Sequence, residues 1–144
     1  HNTKVELPVS GHLYELSTGG RYLGRGNQAT LDLRDTPLAL LAVLPYKIDG
    51  VTLKSQKGQL GKDLPLDFTM KVTGGNPVRH VVHFDVHQPD GTLNYSLSRN
   101  FTFGGGHWTG ALPLALNDPE GQWTIRAREV DSGMTSEVKV QVRK

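Results

Sequence analysis

From Leu64 to the C-terminus, apolar and polar residues alternate with a period of two, the spacing at which a strand turns one face to a core and the other to water. Leu64, Leu66, Phe68, Met70 and Val72 alternate with Pro65, Asp67, Thr69 and Lys71, and Val78, Val82, Phe84 and Val86 alternate with Arg79, His83, Asp85 and His87. A long third segment runs from Leu93 through Tyr95, Leu97 and Phe101 to Phe103, and two more centre on Trp123, Ile125 and Ala127 and on Val138, Val140 and Val142. Between them lie turn sequences: Gly74-Gly75-Asn76-Pro77, Pro89-Asp90-Gly91, Gly104-Gly105-Gly106, Asn117-Asp118-Pro119-Glu120-Gly121 and Asp131-Ser132-Gly133. With Trp108 to Leu116 and a short strand at Val51 to Lys54, this gives about seven antiparallel strands, the number expected of an immunoglobulin-like sandwich. Residues 47–144 are assigned to that fold.

Residues 1–46 carry shorter candidate strands at Val5 to Leu7, Leu13 to Leu16, Arg21 to Leu23, Ala29 to Leu33 and Leu38 to Leu44, joined by Gly- and Asn-containing turns as in a small β-meander. Leu38 to Leu44 is apolar on both faces, and Pro37 and Pro45 at its ends favour a strand buried on both sides over a helix. Forty-odd residues make a marginal unit alone, so this strand is expected to dock the first unit on the sandwich. The fold class expected is therefore all-β: an immunoglobulin-like antiparallel β-sandwich preceded by a small β-meander unit.

The chain has 144 residues and a net charge of +2, with basic residues spread evenly, so it lacks the electrostatic footprint of a nucleic-acid or anionic-membrane binder. Its longest apolar run is far short of the roughly 20 residues that cross a bilayer, and membrane insertion is not expected. Cysteine is absent, which removes disulfides and thiolate chemistry and favours a bacterial over an animal secreted domain. The chain opens on His1 rather than Met, as expected of a processed product or a piece of a longer protein, and His1 is given no function.

Two groups of segments carry a resemblance. Leu13-Tyr14-Glu15-Leu16-Ser17-Thr18-Gly19-Gly20-Arg21-Tyr22-Leu23-Gly24, with Ala29 to Leu33 and Leu40 to Pro45, resembles the closing strands of the β-sandwich that follows the catalytic barrel in many bacterial glycoside hydrolases. Val86 to Gly91 together with Asp118 to Ile125 is similar to the Asp-Pro-x-Gly turn and Gly-x-Trp-x-Ile strand of bacterial immunoglobulin-like and macroglobulin-type domains. The resemblance implies a non-catalytic accessory module of a secreted, carbohydrate-active bacterial protein, extracellular or periplasmic, whose partners are other domains of the parent. A carbohydrate-binding module and an adhesin- or macroglobulin-like stalk are the alternatives.

Candidate chemistry is sparse. His83, Asp85 and His87 share a strand face, but a rise of about 3.3 Å per residue puts the outer two about 13 Å apart, so at most two could share a metal, and a solvated polar face is the simpler reading. His80, with core parity among valines, reads as a hydrogen-bonded core residue. No Gly-x-Ser-x-Gly elbow, paired carboxylates or phosphate loop is evident. Polysaccharide binding would need exposed rings. Trp108 and Trp123 have core parity, which leaves Tyr22 and Tyr46 as candidate ligand-binding residues. Asp90, Asp118 and Glu120, with Asp63 and Asn117, fall in turns at one end of the expected sandwich and are the candidate calcium ligands, although loop acids are usually only solvated. No cofactor and no catalytic residue is expected.

Overall fold

The computed structural model describes residues 2–35 and 37–144, so His1 lies outside the described residues. The chain is all-β: among the described residues there is no helix, and hence none long and apolar enough to cross a membrane. Its strands are β1 (Asn2–Glu15), β2 (Arg21–Asp32), β3 (Leu41–Leu44), β4 (Lys47–Ser55), β5 (Gly58–Gln59), β6 (Asp63–Thr73), β7 (His80–His87), β8 (Arg99–Phe103), β9 (His107–Pro113), β10 (Gly121–Glu129) and β11 (Thr135–Arg143). A three-stranded sheet β4-β6-β9 faces a five-stranded sheet β5-β11-β10-β7-β8, and a second three-stranded sheet β2-β1-β3 precedes them. All pairings are antiparallel except the short parallel contact of β5 with β11.

The period-two pattern sets the core of the sandwich. Leu64, Leu66, Phe68 and Met70 of β6 are buried, as are Val82, Phe84 and Val86 of β7 and Trp123, Ile125 and Ala127 of β10. Phe68 meets Phe84 and Phe103 edge-on at ring-centroid distances of 6.4 and 5.4 Å, the arrangement that suits the positive edge and negative face of aromatic rings.

Two parts of the pattern misplace residues. Leu93 to Ser98 is not strand, because Asn94 competes for the backbone: its Oδ1 accepts from Leu97 N at 3.2 Å and from Ser96 Oγ at 2.8 Å, and its carbonyl accepts from Ser98 N. Tyr95 is consequently 83 % exposed, and only Arg99–Phe103 joins the sheet. Val78 precedes β7 and is half exposed, and His80 takes the core position at its start.

The first unit has three strands instead of five. Gly24 and Gly26, which look like turn residues, adopt positive φ inside β2 and let one long hairpin bulge and continue. Leu13, Ala29 and Leu31 form a small second cluster on one of its faces. Tyr14, Leu44 and Tyr46 belong to the main core instead, with Leu16 and Ala42 packed against it.

The doubly buried strand expected at Leu38 to Leu44 is therefore half that length. Leu38 and Leu40 are exposed, and Leu41 packs in the small cluster. An aspartate at Leu44 is accordingly expected to cost several kcal/mol, and one at Leu38 less than about 0.5 kcal/mol, in urea unfolding. A second link is polar: Ile48 N donates to the buried Tyr14 hydroxyl at 2.8 Å. Tyr14→Phe leaves that amide unpaired, and a loss of about 1–3 kcal/mol is expected by the same measurement.

Candidate functional site

Two ionisable residues sit where the strand pattern demands apolar ones. His80 opens β7 on the side of Val82 and Phe84, and Glu129 ends β10 in step with Trp123, Ile125 and Ala127. Antiparallel pairing sets Glu129 opposite Val82, two residues along from His80, so the two side chains meet inside the sandwich. His80 Nδ1 lies 2.9 Å from Glu129 Oε1 and 3.0 Å from Asp131 Oδ2, and neither the His80 nor the Glu129 side chain touches solvent. On the other side of the ring, His80 Nε2 is 2.5 Å from the Tyr46 hydroxyl, which also accepts from Val78 N at 3.0 Å.

Glu129 organises the turn between β10 and β11. Its Oε1 accepts from Asp131 N at 3.0 Å, and its Oε2 accepts from Ser132 N at 2.7 Å and Ser132 Oγ at 2.6 Å. Burial would raise its carboxyl pKa, but the bonds from His80, Ser132 and Asp131 more than offset this and hold it below the ordinary value. For His80, burial pushes the imidazolium down, while hydrogen bonds to Asp131, Glu129 and Tyr46 and the Glu129 charge push it up further, to about 10. The raised His80 and the lowered Glu129 both favour the ion-paired form, an imidazolium beside the Glu129 carboxylate. Among the described residues this is the only group of three or more His, Asp or Glu whose ligand atoms converge, all within 4.8 Å of one another.

The same turn receives the tip of the β1–β2 hairpin. Glu15 shapes that tip, accepting from Ser17 N, Ser17 Oγ, Thr18 Oγ1 and Arg21 Nε, and the carboxyl is held below its ordinary pKa although burial opposes it. Gly20 and Gly133, both at positive φ, approach so closely that a Cβ built on Gly133 would stand 2.2 Å from the Gly20 carbonyl oxygen. Arg128 Nη1 donates to Gly19 O at 3.3 Å beside this contact. The β10–β11 turn thus has a charged interior and a docked exterior.

The residues singled out from sequence fall elsewhere. Tyr46 is fully buried and hydrogen-bonded within the cluster, so it cannot serve as a sugar platform. Tyr46 is the last residue of the 1–46 unit, and the fold encloses that boundary. Tyr22 keeps 37 % exposure; its hydroxyl bonds His12 Nδ1 at 2.8 Å, and Lys47 Nζ stands 5.2 Å over its ring. It forms no aromatic pair with Tyr46. Trp123 is core, with Nε1 donating to Pro119 O, and Trp108 is half-buried against Phe101 and Phe84.

The calcium candidates do not converge. Asp90 closes its own turn onto Thr92, Asp118 accepts from Ala115 N, and Glu120 accepts from Lys144 N. His83 bridges Asn100 and Asp85 at 2.6 and 2.9 Å on the surface, a polar pair without a third ligand. His80 was placed correctly as a core residue, whereas Glu129 and Asp131 were missed. The available signal was the parity of Glu129, a charge on the core face of the Trp123 strand.

One surface depression is lined by Lys57, Gly58, Gln59, Gln141, Arg143 and Lys144, whose side chains offer no carboxylate or imidazole for acid–base work. A second, lined among others by Lys54, Ser55, Asp67 and Thr109, lies on the opposite sheet, where Asp67 pairs with His107 at 3.1 Å.

No protein-family model and no curated protein matches the chain. Among solved structures it is similar to the CARDB domain of the PF1109 protein of Pyrococcus furiosus, solved in complex with di-metal ions, at 19% identity over 70% of this chain and 97% of that one, with a TM-score of 0.49. It is also similar to a DUF3823 family protein of Bacteroides ovatus, at 10% identity over 98% and 93% of the two chains, with a TM-score of 0.37.

Proposed function

We propose that this chain is a non-catalytic structural module of a larger secreted bacterial protein of the carbohydrate-active kind, and that it holds two β-units, 1–46 and 47–144, in a fixed mutual orientation. The observation that carries the reading is the interlock of the Gly19-Gly20 turn with the Asp131-Ser132-Gly133 turn. A contact made through glycine backbones at under van der Waals range for any side chain leaves little freedom for the units to pivot. Tyr14, Ala42 and Leu44 extend the connection into the main core. The reading without chemistry is supported by the burial of His80 and Glu129, whose side chains have no solvent contact and so meet no substrate directly. The carbohydrate-active parent, and with it an extracellular or periplasmic site and neighbouring domains as partners, rests on the resemblance of Leu13 to Gly24 and Asp118 to Ile125 to accessory β-sandwiches.

The test is a pair of measurements on the chain itself. NMR relaxation should give one rotational correlation time for residues 2–46 and 47–144; separate tumbling times would overturn the rigid-connector reading. Titration with a panel of polysaccharides should give no saturable shift. Saturable binding centred on Tyr22 would favour a carbohydrate-binding module, and turnover of a glycoside would make the chain an enzyme.

A further inference from the structure

Glu129 and Asp131 each present a carboxylate oxygen to the same His80 nitrogen, at 2.9 and 3.0 Å, in a site where two of the three side chains have no solvent contact. A divalent cation on a neutral imidazole would balance both carboxylates. The three ligand atoms already converge within 4.8 Å. Two of the three ligands are also held from behind, as metal ligands are. Tyr46 faces His80 Nε2 and leaves Nδ1 toward the carboxylates. Ser132 N and Oγ and Asp131 N fix the Glu129 carboxylate. Asp131, at 20% side-chain exposure, opens one side of the cluster to solvent, an entry path for an ion.

We propose that His80 Nδ1, Glu129 and Asp131 bind one zinc-class divalent ion, completed by water, which fastens the β10–β11 turn. One imidazole nitrogen with two carboxylates suits a first-row transition metal. Calcium, which takes six to eight oxygens, and magnesium, which demands an octahedron of oxygens, find too few here. The role is structural: a metal at this point ties the ends of β7 and β10 to the turn on which the β1–β2 tip is seated.

The test uses the full chain freed of metal by chelation. Titration with Zn²⁺ should show saturable uptake of one equivalent with a rise in melting temperature, and Co²⁺ should give a visible absorption band of tetrahedral intensity. Asp131→Asn keeps the shape of a partly exposed side chain, so it should fold, and it should weaken Zn²⁺ binding by about tenfold or more. His83→Asn, which removes the surface pair with Asp85, should leave binding unchanged. The proposal is overturned if wild type takes up no stoichiometric Zn²⁺, if Asp131→Asn binds as tightly as wild type, or if the His83→Asn variant is the one that loses the metal.

Discussion

Glu129→Ala is expected to lower the stability of the chain by about 3–5 kcal/mol in urea unfolding, because it removes one partner of a buried ion pair and leaves the other behind. The His80 side chain has no solvent contact, so its charge loses Glu129 without gaining water, and Ser132 and Asp131 lose the acceptor that shapes their turn. Replacement of both partners, His80→Leu with Glu129→Leu, should cost less than the single change, since neither fully buried charge is left behind and Asp131, which loses His80, is partly exposed to water. If Glu129→Ala unfolds within about 0.5 kcal/mol of wild type, the cluster is not the charged core of the fold.

The pH dependence follows from the same cluster. With chelator present, the folded pKa of His80, about 10, lies above its ordinary value of 6.5, so the native state holds a proton that the unfolded chain has released. The stability that His80 contributes is therefore complete below pH 6.5 and is lost as pH rises toward 10, with a slope of about 1.4 kcal/mol per pH unit between them. Glu129 acts in the opposite sense: its folded pKa is depressed below 4.5, so its contribution is present above 4.5 and is lost as pH falls through the lower folded value. Unfolding free energies of wild type and His80→Ala, compared from pH 6 to 10, should converge as pH rises. Parallel curves would mean that His80 is not the titrating group.

How far the sequence disclosed this arrangement depends on the range of the interaction. The sandwich was legible because burial on one face leaves a period-two trace along each strand, as in Leu64 to Val72 and Trp123 to Ala127. Side-chain competition at Asn94 leaves no such trace, so Leu93 to Ser98 passed for strand. The N-terminal unit was legible as β but divided wrongly, since Gly24 and Gly26 mark turns and bulges alike until a partner strand is known. His80 betrayed itself by parity. Its partners lie 49 residues away in the case of Glu129, and in a turn in the case of Asp131, and only the pairing of β7 with β10 brings them together. Tyr46 failed as a surface candidate for the same reason: its 0 % exposure is a product of contacts with Val78 and His80, more than 30 residues distant.

Gly133→Val is expected to loosen the N-terminal sheet while leaving the sandwich folded. Gly133 has φ +71°, a conformation that costs an L-residue about 1–2 kcal/mol. The new Cβ would also stand 2.2 Å from Gly20 O and 2.7 Å from Gly19 O, and because those are backbone atoms no side-chain rotation can relieve the clash. The hairpin tip must withdraw, and with it the Arg128 bond to Gly19. Gly19→Ala separates conformational cost from collision: Gly19 also has positive φ, at +90°, but a Cβ there meets nothing within 4 Å. It should lower the melting temperature modestly without displacing the tip. In hydrogen exchange, Gly133→Val should accelerate amides of β1, β2 and β3 relative to those of β6, β7 and β10, as expected of a sub-global opening, whereas Gly19→Ala should not. The sandwich should stay protected because Phe68, Phe84, Trp123 and Ile125 come from β6, β7 and β10, and most of their cluster is supplied by the two sandwich sheets rather than by the hairpin. Equal protection of β1 to β3 in Gly133→Val and wild type would show that Tyr14, Ala42 and Leu44 alone hold the two units together, and that the meeting of the two glycine turns is incidental.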